Sequence, residues 1–271
     1  ELQFYNTRLQ KTFRSLAFDP ELTRCVVRQE FLADLESLLH HTRVLRSSEI
    51  VGIDTREDHT VLVTTRHVET QETQTHEFDA VIACDGSRAF SRPRFYPAQA
   101  ERHDRGFSCI YMLIDPKTPE HASEQFLRLA NDGNSLLAMG HFSTLTMFPL
   151  GKDRLALGIG FDHESKAKLW GEQGLLGQTP WAEVPNEAKR TIALRLAEDP
   201  PVYDGVFIEA LDLVEDWGST DTYVWKMQDT DPLEQPFPDQ GNIILIGDAA
   251  HAIMPTIGMG ASLAIEDAEM L

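Results

Sequence analysis

Cysteine is scarce in this sequence, with Cys25, Cys84 and Cys109 the only three in 271 residues. An odd, widely spaced set beside apolar runs argues against a disulfide framework and reads as buried free thiols in a reducing, cytoplasmic compartment. Basic charge is scarce as well. Lys and Arg total 24 against 43 Asp and Glu, a net charge of −19, and no basic stripe stands ready for a nucleic-acid backbone. No apolar run reaches the roughly 18 residues of a membrane span, and no signal-peptide pattern opens the chain. The chain starts at Glu1 and stops at Leu271 within an unfinished helical pattern, so it reads as a piece of a longer protein.

Catalytic vocabulary is missing too. There is no G-x-S-x-G nucleophile elbow. The ten histidines form no H-x-x-x-H pair, and no Cys/His cluster has zinc spacing, so no metal ligands are expected. Gly158-Ile159-Gly160 lies inside a strand pattern, and Gly171, Gly174 and Gly177 open no apolar helix, so neither is a dinucleotide fingerprint. No nucleophile or acid–base pair stands out, and no catalytic residue is assigned. A bound cofactor would then have to carry any reaction.

What is present is concentrated at residues 243–267, IILIGDAAHAIMPTIGMGASLAIED. Ile243 to Ile246 form a buried-strand signal. Gly247-Asp248 follow, then the loop Pro255-Thr256-Ile257-Gly258-Met259-Gly260, then a helix from about Gly260. Glycines admit close backbone approach. The helix start offers unpaired N–H groups, including those of Ala261 and Ser262, and a partial positive charge. Asp248 can accept hydrogen bonds from sugar-type hydroxyls. Ala261, Ala264, Ala268 and Leu271 form a small-residue face that permits tight packing. The alternative is an ordinary glycine-capped crossover, and His251 reads as loop packing rather than a base. A second strand, Ala80–Ala83, also ends in a carboxylate and a glycine, at Asp85-Gly86, followed by Ser91-Arg92; alone it could be a plain turn. Arg28 lies between a strand signal at 24–27 and a helix expected over 30–41. Its guanidinium could grip phosphate oxygens, or it could be a surface Arg at a helix start.

Between these pieces the pattern differs. Strands are expected at 44–53, 60–67 and 74–78 as a meander, and then at 107–114, 136–141, 145–150, 154–161 and 222–227, with a hairpin turn at Gly151-Lys152-Asp153. One helix is expected at 186–198, stopped by Pro200-Pro201. The layout predicts an α/β (α+β) fold in two parts. A nucleotide-binding domain at 1–105 and 229–271 is interrupted by a mostly antiparallel sheet domain at 106–228.

Gly247-Asp248-Ala249-Ala250-His251, Pro255, Gly258-Met259-Gly260 and Ala264-Ile265-Glu266-Asp267-Ala268 resemble the second FAD motif of the single-component FAD-dependent monooxygenases with the aromatic-hydroxylase fold. Cys84-Asp85-Gly86-Ser87 with Ser91-Arg92 resembles that family's Asp-Gly motif, and Arg28 with Leu32 and Leu35 resembles its pyrophosphate-binding Arg. The Arg28 region and the 135–161 hairpins are most similar to the tetracycline-inactivating members. Two departures stand out: Ser262 replaces the usual Asn, and the G-x-G-x-x-G βαβ unit, which needs about 30 residues, has no room before Arg28. The resemblance therefore implies an incomplete FAD-binding Rossmann-like domain interrupted by a substrate domain.

It also implies an enzyme in which NADPH or NADH reduces FAD and a flavin C4a-hydroperoxide passes one oxygen atom of O2 to an organic, aromatic or polycyclic substrate. FAD would meet Arg28, Asp85, Gly86, Asp248, Pro255, Gly258, Met259, Gly260, Ala261 and Ser262. Substrate would meet alternating residues of the middle sheet: Tyr111, Met139, His141, Thr144, Thr146, Phe148 and Met227. Sheet packing is the alternative for each of these. Another FAD-dependent oxidoreductase, or a non-catalytic binding module, remains open.

Overall fold

The computed structural model describes residues 2–6, 11–16, 26–114, 135–139, 143–151, 154–176, 179–198, 206–214, 217–218, 222–239 and 242–271. They fall into two units. One holds Glu1–His40 and Gly106–Lys226, the other His41–Arg105 and Met227–Leu271.

The first unit is built on strands β1 (Leu2–Asn6), β2 (Lys11–Leu16), β7 (Arg102–Ile114), β8 (Ser135–Met139), β9 (Ser143–Gly151), β10 (Arg154–Asp162) and β11 (Thr222–Thr230). They form one sheet in the order β11-β7-β10-β9-β8-β1-β2. Side chains alternate between faces along a strand, and one face is the core. Ile110, Met112, Ile114, Leu145, Met147, Leu155, Leu157, Ile159 and Phe161 are all at most 2% exposed. Helices α3 (His163–Glu172), α4 (Asn186–Glu198) and α5 (Val206–Asp212) cover that face with Trp170, Ile192, Leu196, Phe207 and Leu211. Each such apolar side chain contributes about 1.5–3 kcal/mol on burial. Helix α4 lies where its pattern predicts. Helix α3 is not legible as an apolar repeat. Its start is set by Asp162, whose carboxylate accepts from the Ser165 N–H at 2.6 Å, an N-cap that satisfies one orphan donor.

The sequence layout assigns residues 1–40 to the flanking domain, but here they group with the middle segment. The reason is long-range pairing. β1 runs parallel to β8 with Leu2 opposite Ser135, and the helix α1 (Arg28–Ser37) is tied to β10 by a Glu30–Arg154 ion pair. Val26 and Val27 lie in no strand, and α1 begins at Arg28, two residues earlier than expected. Its leucines at helical spacing do not mark a buried face. Leu32, Leu35 and Leu38 are exposed.

The second unit contains the expected meander, β3 (Ser48–Thr55), β4 (Val61–His67) and β5 (Thr73–Phe78), paired antiparallel in that order. Beside it are β6 (Val81–Ala83) and β12 (Ile243–Leu245), a parallel pair. Ile53, Val61, Val63, Ala83, Ile243, Leu245 and Ala250 form its core. Short helices α2 (Ser91–Phe95) and α6 (Asp248–His251) and the longer α7 (Gly260–Met270) complete it. Among the described residues, no helix is long and apolar enough to cross a membrane. Cys84 is exposed and Cys109 half-buried, both as free thiols. The expectation of buried thiols therefore fails at Cys84, which lies one residue past the end of β6, and Cys25 lies outside the described residues.

Candidate functional site

The parallel pairing of β6 with β12 brings the two carboxylate–glycine motifs side by side. Ile243 pairs with Val81, Ile244 with Ile82 and Leu245 with Ala83. The Ile246 N–H continues the ladder to the Ala83 carbonyl at 3.0 Å. Asp85-Gly86 and Gly247-Asp248 thus leave the same, carboxyl-terminal end of the pair, the end at which open α/β sheets bind ligands.

Gly247 has φ +57° and ψ −142°. A Cβ there would lie 3.1 Å from the Cβ of Ala264 on α7, so the small-residue face of that helix does pack tightly at Ala264. The Gly247 carbonyl accepts from the N–H groups of Ala250 and His251, both at 2.9 Å, starting α6. Its own N–H donates to Asp267 Oδ2 at 2.7 Å. The same oxygen lies 2.7 Å from His251 Nε2, which must carry the proton because a carboxylate only accepts. Burial pushes the Asp267 carboxyl up, but the Gly247 N–H and His251 outweigh it and hold its pKa below the ordinary value. A lowered carboxylate pKa contributes stability that is present above the unfolded value, about 3.9, and is lost as pH falls through the folded value. Asp267→Asn is therefore expected to lower the urea midpoint near neutral pH, and the gap to the parent should close as pH falls below about 4. A gap that stays constant from pH 7 to pH 3 would contradict this account.

Asp248 is exposed at the start of α6. Its Oδ1 lies 3.9 Å from where a Cβ of Gly260 would sit, so the carboxylate and the start of α7 face one spot. Gly258 is left-handed, with φ +66°, and nothing lies within 4 Å of its Cβ position. Met259, the residue capping α7, makes no side-chain cap. Ala261 and Ser262 are exposed in the first turn, as are Pro255 and Met259 before it. Asp85 is exposed, and its two oxygens accept from the Ser91 N–H (2.9 Å) and hydroxyl (2.6 Å), fixing the start of α2. The next residue, Arg92, is 3% exposed. It donates from Nε to the Gln99 carbonyl at 2.8 Å, from Nη1 to the carbonyls of Ala249 (3.2 Å) and Ala250 (2.5 Å), and from Nη2 to that of Asp231. Nothing in a Ser-Arg-Pro string signals such burial.

In the other unit, Arg28 is exposed as the first residue of α1. Register sets Gly158 between Thr146 and Tyr111, and Gly160 between Thr144 and Cys109. A side chain at either glycine would collide with the threonine hydroxyl beside it. The two glycines, which match no cofactor fingerprint, keep this sheet face low. The Thr146 hydroxyl donates to the Gly158 carbonyl at 3.3 Å, and Phe148 is half-buried further along β9. Tyr111 stacks on Trp225 with centroids 5.7 Å apart, and Tyr223 lies 5.2 Å from Tyr111 and 4.9 Å from Trp225. Tyr223 and Trp225 alternate along an expected strand, and that alternation was the signal available for them. Burial raises the Tyr223 hydroxyl pKa, Tyr111 and Cys109 add to this, and Arg28 opposes it. Burial pushes the Cys109 thiol up to about 11, so it stays protonated. Met227 belongs to the other unit. Met139 is on β8 with its side chain outside the described residues, and His141 lies outside them altogether.

Residues 227–271 match the family described as FAD binding domain. Over 262 residues the chain is 26% identical to the FAD-dependent monooxygenase pigN of Monascus ruber, covering 90% of this chain and 51% of that protein. Over 244 residues it is 28% identical to the 2-heptyl-3-hydroxy-4(1H)-quinolone synthase of Pseudomonas aeruginosa, covering 90% and 54%. In fold it is similar to Klebsiella pneumoniae HpxO complexed with FAD and uric acid, with a TM-score of 0.69 at 18% identity over 98% of this chain and 60% of that one. The class is thus a mixed α/β protein with an FAD-binding segment. The chain is similar to FAD-dependent monooxygenases, and it spans about half the length of the curated relatives it matches.

The residues present fit the cofactor. An exposed carboxylate suits a polyol chain, an open left-handed glycine and a bare helix start suit a flat anionic ring edge, and the Arg92 and Asp267 contacts hold both turns from behind.

Proposed function

We propose that the intact protein is an FAD-dependent monooxygenase that inserts one oxygen atom of O2 into an aromatic or polycyclic organic substrate, using NADPH or NADH. The observation that carries this reading is the parallel β6–β12 pair with Asp248 and the α7 start converging beyond it. Bound FAD supplies the redox chemistry that no side chain of the chain offers. Asp248 accepts from the ribityl hydroxyls. The backbone from Pro255 through Gly258, Met259 and Gly260 lets the ring approach. The N–H groups of Ala261 and Ser262, at the positive end of α7, would stabilise negative charge on the ring. Asp85 and Gly86 line the neighbouring turn, with Asp85 held by Ser91, and Arg28 would hold the pyrophosphate.

On the substrate side we assign Tyr111, Thr146 and Phe148, with Met139, His141 and Met227 as further candidates. Tyr223 and Trp225 join Tyr111 as an aromatic wall. Such a wall favours flat ring compounds through stacking worth about 0.5–1.5 kcal/mol per ring pair. Uric acid, bound in the HpxO structure, is a ligand of that shape.

Asp248→Ala in the intact protein is expected to weaken FAD binding by about tenfold or more, because hydrogen bonds to a charged acceptor are worth about 1.5–3 kcal/mol. Quenching of flavin fluorescence on binding reads this directly, and an unchanged affinity removes Asp248 from the site. Substrate-stimulated NAD(P)H oxidation without an oxygenated product would instead favour a reductase.

A further inference from the structure

Helix α1 carries Arg28, yet among the described residues it buries none of its own side chains. Packing therefore does little to fix its start. Among the described residues, Arg154, the first residue of β10, reaches it. Arg154 Nη1 lies 2.8 Å from Glu30 Oε1 and Nη2 3.3 Å from Oε2, a fork-to-fork pair. The Arg154 side chain is 10% exposed and that of Glu30 49%, so the pair roots a surface helix in a buried strand. Leu155, Leu157 and Ile159, all at most 1% exposed, hold that strand in the core. Arg154 is thus the rigid partner and Glu30 the one being positioned.

The pair also sets a charge. Glu30 is the third residue of α1. A carboxylate there suits the helix dipole, but it repels any phosphate brought to the same end. Arg28 and Glu30 alone sum to zero. Arg154 offsets the Glu30 charge that would otherwise oppose Arg28 and the partial positive charge of the helix start. Val27, at the N-cap, adds no side-chain cap.

We propose that Arg154 is a positioning residue for the cofactor's pyrophosphate: held in β10, it pairs with Glu30 and neutralises it, so that Arg28 and the helix start present a positive end. This rests on the assignment of the pyrophosphate to Arg28. The role demands electrostatic cancellation as well as a stable fold, and those two demands separate experimentally.

The test measures binding of FAD and of riboflavin, which lacks phosphate, to the intact protein and to its variants R154M, E30Q and R154M/E30Q. For R154M we expect FAD affinity to fall about tenfold while riboflavin affinity is unchanged, the scale of one uncompensated charge at a helix start. E30Q should stay near the parent, and the double variant should recover most of the loss. Equal losses for FAD and riboflavin, no loss in R154M, or a double variant no better than R154M would overturn the proposal. Should R154M fail to fold, R154K carries the test. It keeps the charge, so a tenfold loss of FAD affinity in R154K would count against cancellation, and retention would support it. Arg28→Ala separates the two layers. If FAD affinity survives R28A, the pyrophosphate assignment itself fails; if R28A weakens FAD but R154M does not, only the role of Arg154 fails.

Discussion

Arg92→Met is expected to cost several kcal/mol of folding stability, at about 1–3 kcal/mol for each buried carbonyl it leaves without a donor. The guanidinium is 3% exposed and donates to four carbonyls, those of Gln99, Asp231, Ala249 and Ala250. Burial lowers its pKa and Asp231 opposes that shift, yet an arginine starts high enough to remain charged. Methionine fills much of the volume but supplies no donor. Some of the carbonyls would then be buried without partners, at about 1–3 kcal/mol each where water cannot reach them. The urea midpoint should fall with the slope unchanged, because the surface exposed on unfolding is the same. Arg92→Lys should lie between the two. It keeps the charge, but one ammonium cannot span the arc of acceptors that a planar fork serves. A midpoint within error of the parent for Arg92→Met would refute this account. The loss also bears on the site. Arg92 joins α2, which follows Asp85-Gly86, to α6, which starts at Asp248, so FAD binding should weaken in Arg92→Lys even where the protein remains folded.

That role shows what the sequence conveys and what it withholds. Strands β6 and β12 are legible because Val81–Ala83 and Ile243–Leu245 are apolar runs stopped by glycine turns. Their parallel partnership is a tertiary fact, yet the two motifs are recognisable because each repeats one local grammar of strand, carboxylate and glycine. Helix α4 is legible from its apolar spacing and the prolines after it. Helix α3 is obscured by Gly171 and a charged surface, although Asp162 three residues before Ser165 is a cap signal that could have marked it. The grouping of residues 1–40 depends on β1 pairing with β8, some 130 residues away, and no local pattern encodes such a register. Arg92, Arg154 and Asp267 are charged residues, which a linear reading places at the surface by default. Their hydrogen-bonded positions emerge only when distant carbonyls, Glu30 and Gly247 arrive beside them. Trp225 and Tyr223 were visible as an alternating pair, but only the placement of β11 beside β7 sets them against Tyr111.

Gly247→Ala should be the most damaging single-methyl change in the second unit. Two independent penalties meet at this position. At φ +57° and ψ −142° the backbone lies in a region that residues with a Cβ avoid, at a cost of about 1–3 kcal/mol. The added methyl would also lie 3.1 Å from the Ala264 Cβ, and overpacking of that kind costs about 1–3 kcal/mol. Together they predict a loss of about 2–6 kcal/mol if the two add. Relief by movement is blocked on both sides, because the Gly247 N–H is held by Asp267 and its carbonyl by Ala250 and His251. Gly86→Ala is the internal control. Its φ is +81°, but nothing lies within 4 Å of its Cβ position, so it should show the backbone penalty alone, about 1–2 kcal/mol. Pairing Gly247→Ala with Ala264→Gly should recover the crowding part and leave the backbone part, bringing the double variant toward Gly86→Ala once the cost of glycine within α7, about 1 kcal/mol, is allowed for. Denaturant midpoints for the three variants decide the matter. If Gly247→Ala and Gly86→Ala lose equal stability, close packing of α7 against the turn contributes nothing. If Gly247→Ala stands apart and Ala264→Gly rescues it, the turn that presents Asp248 is held in place by the helix whose N-terminus faces the same spot.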